Sequence, residues 1–186
     1  MAEDSAPFDE LLDAMKIAAG VLLDAGVPFL IGGGLAFWAR GGPKTEHDVD
    51  FLVKPEDAEQ ALKAFEDAGH RTARPPERWL YKAWVDDVLI DLIFEPINQA
   101  VDDAMFERGE DTEVYALRVR VASLEDVVIS KLLAISEQDP DFASVLEMAR
   151  SLREQIDWEF VRKQTDQSAF AKSFFTLIEE LGIIAA

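Results

Sequence analysis

The sequence contains no cysteine. That excludes disulfides, thiolate metal sites and thiol catalysis. Basic residues are scarce: 18 Lys and Arg stand against 37 Asp and Glu, a net charge of −19. So acidic a surface repels polyanions, which argues against a broad grip on DNA or RNA. A cationic small molecule or a basic protein suits that field better. No apolar run reaches transmembrane length. The acidic stretch Met1 to Pro7 lacks the basic region of a signal peptide. A cytoplasmic chain with no membrane partner is the expectation. Internal repeats and low-complexity linkers are also missing.

What is present is enough apolar material for a core, 49% of 186 residues. This length fits one domain, or a domain with a small helical extension. Helical spacing marks Phe8 to Ala25, with Ser5 and Pro7 as its start and Gly26 as its stop. Phe29 to Ile31 reads as a short strand, Leu35 to Arg40 as a short helix, and His47 to Val53 as a second strand. Pro55 opens a helix that runs to about Ala68. Arg71 to Arg78 reads as a loop or edge strand. Trp79 to Val85 and Val88 to Phe94 are strands joined by Asp86-Asp87. Pro96 to Arg108 is weakly helical, and Val114 to Val121 alternates as a strand. From Ser123 the pattern is helical: Leu124 to Ser136, Asp141 to Gln155, Trp158 to Thr165 and Ser168 to Leu181. The expected fold is α+β, a mixed sheet of about five strands flanked by helices. Residues 1–121 form the core and residues 122–186 a C-terminal helical subdomain.

Three features carry chemistry. Gly32-Gly33-Gly34 lies between a strand and a helix, where backbone amides suit a phosphate chain. A tight turn needs only one glycine; three in a row argue for close approach of a ligand. Asp48 and Asp50 sit two apart on one strand, so they share a face, roughly 6–7 Å apart at Cα. Two carboxylates so placed can share a Mg²⁺ that also takes phosphate oxygens. Alone, such a pair is as well explained by an exposed edge strand. Asp91 interrupts the apolar run Val88 to Phe94, and a charge there is costly unless paired or metal-bound. If the strands of Asp50 and Asp91 are neighbours, the three carboxylates meet. His47 beside the pair reads as structural. Arg40 reads as the partner of an acid, and Trp79 and Trp84 as core residues or base-stacking platforms.

Gly33-Gly34, the spacer of residues 35 to 47, Asp48-Val49-Asp50 and the later Asp91 together resemble the polymerase-β-like nucleotidyltransferase superfamily. The resemblance implies that fold. It also implies that Asp48 and Asp50 bind two Mg²⁺ ions, with Mn²⁺ as a substitute, and that Asp91 is third metal ligand and candidate base. Lys44-Thr45 falls where small bacterial members carry Arg-x-Thr or Arg-Thr. Gly34 departs from the serine of many relatives, and Lys44 from the commoner arginine. Val121 to Asp126, followed by Lys131 to Ala134, resembles the helix after the core in abortive-infection-type (AbiEii-like) toxins, where the lysine faces the nucleotide. Residues 31 to 40 are also similar to small aminoglycoside nucleotidyltransferases.

The resemblance implies a Mg²⁺-dependent nucleotidyltransferase. It would move a nucleoside monophosphate from a nucleoside triphosphate, such as ATP, to an acceptor hydroxyl and release pyrophosphate. Gly32, Gly33, Gly34, Lys44, Thr45 and Lys131 would bind the nucleotide. The acceptor stays open between an aminoglycoside-like small molecule, tRNA and a protein. The alternative is a non-catalytic nucleotide-binding or toxin–antitoxin partner module of the same fold.

Overall fold

A computed structural model of the chain describes residues 8–45, 48–96 and 99–185. Ser5, Pro7 and His47 lie outside the described residues. The chain begins with helix α1 (Phe8–Asp24), then strand β1 (Leu30–Ile31), helix α2 (Gly33–Trp38) and strand β2 (Asp48–Leu52). A 3₁₀ turn at Pro55–Asp57 leads into α3 (Ala58–Asp67). Next come β3 (Arg71–Ala73), β4 (Leu80–Val85), β5 (Val88–Ile93), α4 (Asp103–Arg108), β6 (Glu110–Val114) and β7 (Leu117–Val121). Four helices close the chain: α5 (Leu124–Ala134), α6 (Ala143–Leu152), α7 (Trp158–Gln164) and α8 (Ala169–Glu180).

The strands form one seven-stranded sheet in the order β3-β4-β5-β2-β1-β7-β6. Two of its pairings, β2 with β5 and β1 with β7, are parallel and the rest antiparallel. The fold is thus mixed α/β, as expected, with two more strands than expected. One is the edge strand β3. The other is β6, whose Glu110, Asp111 and Glu113 conceal a strand. The alternation over Val114 to Val121 is really the end of a hairpin. Its turn is Tyr115-Ala116, both left-handed at φ 50° and 60°, and neither residue announces such a turn. Of the weak helix expected over Pro96 to Arg108, residues 97 and 98 lie outside the described residues, and the helix described in this stretch is α4. There Asp102 caps the N-terminus by accepting from the Met105 N–H at 2.9 Å.

α1 and α3 pack on one face of the sheet. They bury Leu11, Met15, Ala18 and Leu22 from α1, and Ala61, Leu62 and Phe65 from α3, against Val49, Phe51, Ala83, Ile90 and Leu92. Ile17 of α1 is 46% exposed. α2 and α5 meet beside β2 on the other side of the chain, and α6, α7 and α8 gather on α5. Apart from Leu80, the buried apolar residues described form one continuous cluster from Leu11 to Ile183.

The pairing registers align residues in rows across β2, β5, β4 and β3. One row reads Asp48, Leu89, Trp84, Arg71; the next reads Asp50, Asp91, Lys82, Ala73; the third reads Leu52, Ile93, Leu80. Alternate residues of a strand share a face, so all three rows face away from α1 and α3.

Candidate active site

Period-2 alternation builds the centre of the second row. Val49 and Phe51 are fully buried, which turns Asp48 and Asp50 to the opposite face. Ile90 and Leu92 do the same for Asp91. Because β2 and β5 are parallel neighbours, Asp50 lies directly beside Asp91. Ligand oxygens of Asp48, Asp50 and Asp91 all fall within 4.8 Å of one another.

Three carboxylates so close repel. Asp50 is pushed up to about 7, first by burial and then by Asp48 and Asp91, against the opposing pull of Lys131 and Lys82. Asp91 is also raised, chiefly by burial, while a hydrogen bond from Lys82 holds it down. That ammonium donates to Asp91 Oδ1 at 3.1 Å. A cluster of hard oxygen donors with excess negative charge fits a Mg²⁺ or Mn²⁺ ion.

The glycine loop closes on the same point. The Gly32 N–H donates to the Asp50 carbonyl at 2.9 Å, so it belongs to the strand pairing and is not offered to a ligand. Gly33 has φ +51°, and a Cβ on it would stand 1.6 Å from Asp50 Oδ2. Only glycine lets the backbone come so near the carboxylate. A Cβ on Gly34 would lie 2.5 Å from both Cβ and Oγ1 of Thr45. Thr45 thus fills the space a serine at position 34 would need, and sets a hydroxyl beside the loop in its place. The N–H groups of Gly33 and Gly34 sit in the first turn of α2, where no intrahelical acceptor exists.

A cleft of about 670 Å³ opens from Gly33 and Asp50 toward the C-terminal helices. Leu52, Ile93 and Trp79 form the sheet side, Val127, Ser130, Lys131 and Leu133 the α5 side. Lys131 lies where its charge acts on Asp50. Trp79, 40% exposed, stands at the cleft wall, whereas Trp84 lies on the sheet with the Arg71 guanidinium 3.7 Å from its ring centre. Lys44 is not brought to the cleft; its ammonium sits 4.9 Å over the Phe8 ring. Arg40 lies 3.7 Å from Glu110.

Two residues were missed by sequence reasoning. Lys82 had a signal: a two-residue turn at Asp86-Asp87 fixes the hairpin register and sets position 82 opposite 91. Asp126 stands three residues after the N-cap Ser123 of α5. Its backbone N–H does donate to Ser123 Oγ at 3.1 Å. Its buried carboxylate also accepts from both Nε and Nη2 of Arg108, at 3.0 and 2.8 Å, and forms part of the cleft wall. Nothing in the sequence pairs those two.

A family-wide sequence pattern described as nucleotidyl transferase of unknown function (DUF2204) matches residues 11–172. No curated protein matches the chain in sequence. Among solved structures, the chain is similar to the antibiotic-resistance factor ANT(2'')-Ia. The TM-score is 0.65 at 16% identity over 95% of this chain and 99% of that one. The lincosamide antibiotic adenylyltransferase LnuA gives 0.53 at 12% identity, over 76% and 96%. An antigenic nucleotidyltransferase-like protein from Paracoccidioides brasiliensis gives 0.59 at 14% identity, over 95% and 89%. At these identities the likeness is one of fold.

Proposed function

The chain belongs to the family of nucleotidyl transferases of unknown function, and from that premise we propose that it transfers a nucleoside monophosphate from a nucleoside triphosphate to an acceptor hydroxyl, releasing pyrophosphate in a Mg²⁺-dependent reaction. The observation that carries this reading is the meeting of Asp48, Asp50 and Asp91 at the loop where Gly33 leaves room for Asp50.

Asp48, Asp50 and Asp91 would hold two Mg²⁺ ions, or Mn²⁺ in their place. Bound there, the ions would neutralise the triphosphate and lower the pKa of the acceptor hydroxyl. The remaining work falls to the chain. The Gly33 and Gly34 amides and the Thr45 hydroxyl offer donors to phosphate oxygens. Lys131 approaches from α5 with a charge for the triphosphate. Asp91, raised by burial, is suited to accept the acceptor's proton, and Lys82 holds that carboxylate in place. Lys44 and the Gly32 amide are left out of this set. The cleft supports a nucleotide seated between the sheet and α5, with Trp79 beside its base. Residues 1–121 would act as the catalytic core and residues 122–186 as a helical subdomain whose α5 walls the nucleotide cleft.

A crystal structure of ANT(2'')-Ia holds adenylyl-2''-tobramycin. It makes ATP the first donor to try and a small hydroxylated molecule the reference acceptor. Among the described residues no helix is long and apolar enough to cross a membrane.

The test is calorimetric titration with a non-hydrolysable ATP analogue. Saturable binding with Mg²⁺, lost in EDTA and in Asp48→Ala, is expected. Equal binding without Mg²⁺, or by Asp48→Ala, overturns the reading.

A further inference from the structure

Packing across the cleft does not set how far α5 stands from the triad, because the space between α5 and the sheet is the cleft itself, about 670 Å³. The helix starts just after Ala122 donates its N–H to the Ile31 carbonyl of β1 at 2.9 Å, and Ser123 caps it. Three residues on, the Asp126 carboxylate is buried. It accepts from the Ser123 hydroxyl at 2.8 Å and from Arg108 Nε and Nη2 at 3.0 and 2.8 Å. Arg108 ends α4, a helix anchored on the sheet side of the cleft. Asp103 of α4 pairs with Lys54, just past the end of β2, and Met105 of α4 lines the cleft. Directly after Arg108 the chain lies close against β1: a Cβ on Gly109 would stand 2.8 Å from Leu30 Cδ2. The Arg108–Asp126 pair therefore ties α5 to the sheet side.

From this tie we infer that Arg108 is a positioning residue: through Asp126 it fixes the angle at which α5 leaves β7, and so sets Lys131 against the triphosphate. This rests on the nucleotidyl-transfer reading above, in which Lys131 meets the nucleotide, and adds what places that lysine. At 1.5 Å of rise per residue, Asp126 lies roughly 4.5 Å along α5 from Ser123, and Lys131 roughly 12 Å. A tilt about the start of the helix is therefore about two to three times larger at Lys131 than at Asp126. Both residues line the cleft, so the tilt moves the ammonium toward or away from Asp50, on which its charge acts. The pair suits this task. The guanidinium meets the carboxylate with two N–H groups, which fixes orientation as well as distance. The Ser123 hydroxyl occupies a further lone pair, so the buried charge is held by partners on two elements. A single lysine on α5 would otherwise depend on a helix free to rock over an open cleft.

The experiment measures binding of the non-hydrolysable ATP analogue with Mg²⁺ to the full chain by calorimetry, in a cycle with Lys131→Ala. The tie is removed by Arg108→Ala together with Asp126→Asn, which leaves no unpaired buried charge to repel the triphosphate. Removing it should weaken binding about tenfold where Lys131 is present and less than about twofold in Lys131→Ala. Arg108→Lys, which keeps the charge and loses the fork, should weaken binding about threefold, again only with Lys131 present. That variant carries the cycle if the paired one does not fold. A role in stability alone would lower the melting temperature and leave affinity unchanged. Unchanged affinity without the tie, the same loss with and without Lys131, or a Lys131→Ala protein that binds as the wild type does overturns the inference and leaves the transferase reading standing. Failure of the wild type to bind the ATP analogue with Mg²⁺ overturns the transferase reading itself, and this inference with it.

Discussion

Asp50 is the residue on which stability and function pull in opposite directions. Its carboxyl is raised from 3.8 to about 7, chiefly by burial. A carboxyl with a higher pKa folded than unfolded holds its proton more tightly in the folded state. Between about pH 4 and pH 7 the folded protein therefore binds more protons than the unfolded chain, and stability falls as pH rises through that window. Above it the penalty is fully present. The metal-free protein should accordingly melt lower at pH 8 than at pH 5.5, and Mg²⁺ should raise the melting temperature more at pH 8. Asp50→Asn, which removes the charge, should flatten that slope and stabilise the metal-free protein at pH 8 by about 1–2 kcal/mol, roughly 3–8 °C. Thermal scans across pH decide it; an Asp50→Asn protein with the wild-type slope contradicts the assignment. A flattened slope marks Asp50 as a residue kept for function at a cost in stability.

At the scale of elements, legibility followed periodicity. β2 and β5 were readable because their apolar residues alternate with, or enclose, carboxylates that have no structural reason to be there. The β4–β5 turn is legible in the sequence, and its register sets Lys82 opposite Asp91, but the pair itself is seen only in the structure. β6 was not. Its Glu110-Asp111-Thr112-Glu113 run has no apolar alternation; strand pairing with Arg118 and Arg120 across the hairpin supplies what the sequence pattern lacks. The acidic edge also discourages another chain from pairing there. Likewise the Asp126–Arg108 pair joins α5 to α4 across a sequence gap that no spacing rule reaches. The β6–β7 turn yields the element-scale prediction. Tyr115 and Ala116 occupy left-handed conformations that favour Asn and Gly. Tyr115→Asn with Ala116→Gly should stabilise the protein by about 0.5–1 kcal/mol with transfer activity unchanged, measured by denaturant unfolding. A loss of stability would show that the Tyr115 ring, 5.7 Å from the Lys16 ammonium, matters more than the turn.

At the scale of the whole molecule, two of the few positive charges of an acidic body are set against the triad. The chain carries a net charge of −19, yet Lys82 and Lys131 flank the triad and Arg71 lies one row away. The glycines and paired aspartates alone support only a ligand site. Their meeting with Asp91 across parallel strands is what supports a reaction class. The distinguishing feature of that class is attack at the α-phosphorus. ATP labelled at the α-phosphate and, separately, at the γ-phosphate is incubated with Mg²⁺ and the acceptors. The account predicts α-label on the acceptor and γ-label in pyrophosphate, in equal amounts. Asp50→Asn should cut both on the order of 10²–10⁴-fold while the protein stays folded. γ-Label on the acceptor or in orthophosphate, or undiminished transfer by Asp50→Asn, would contradict it.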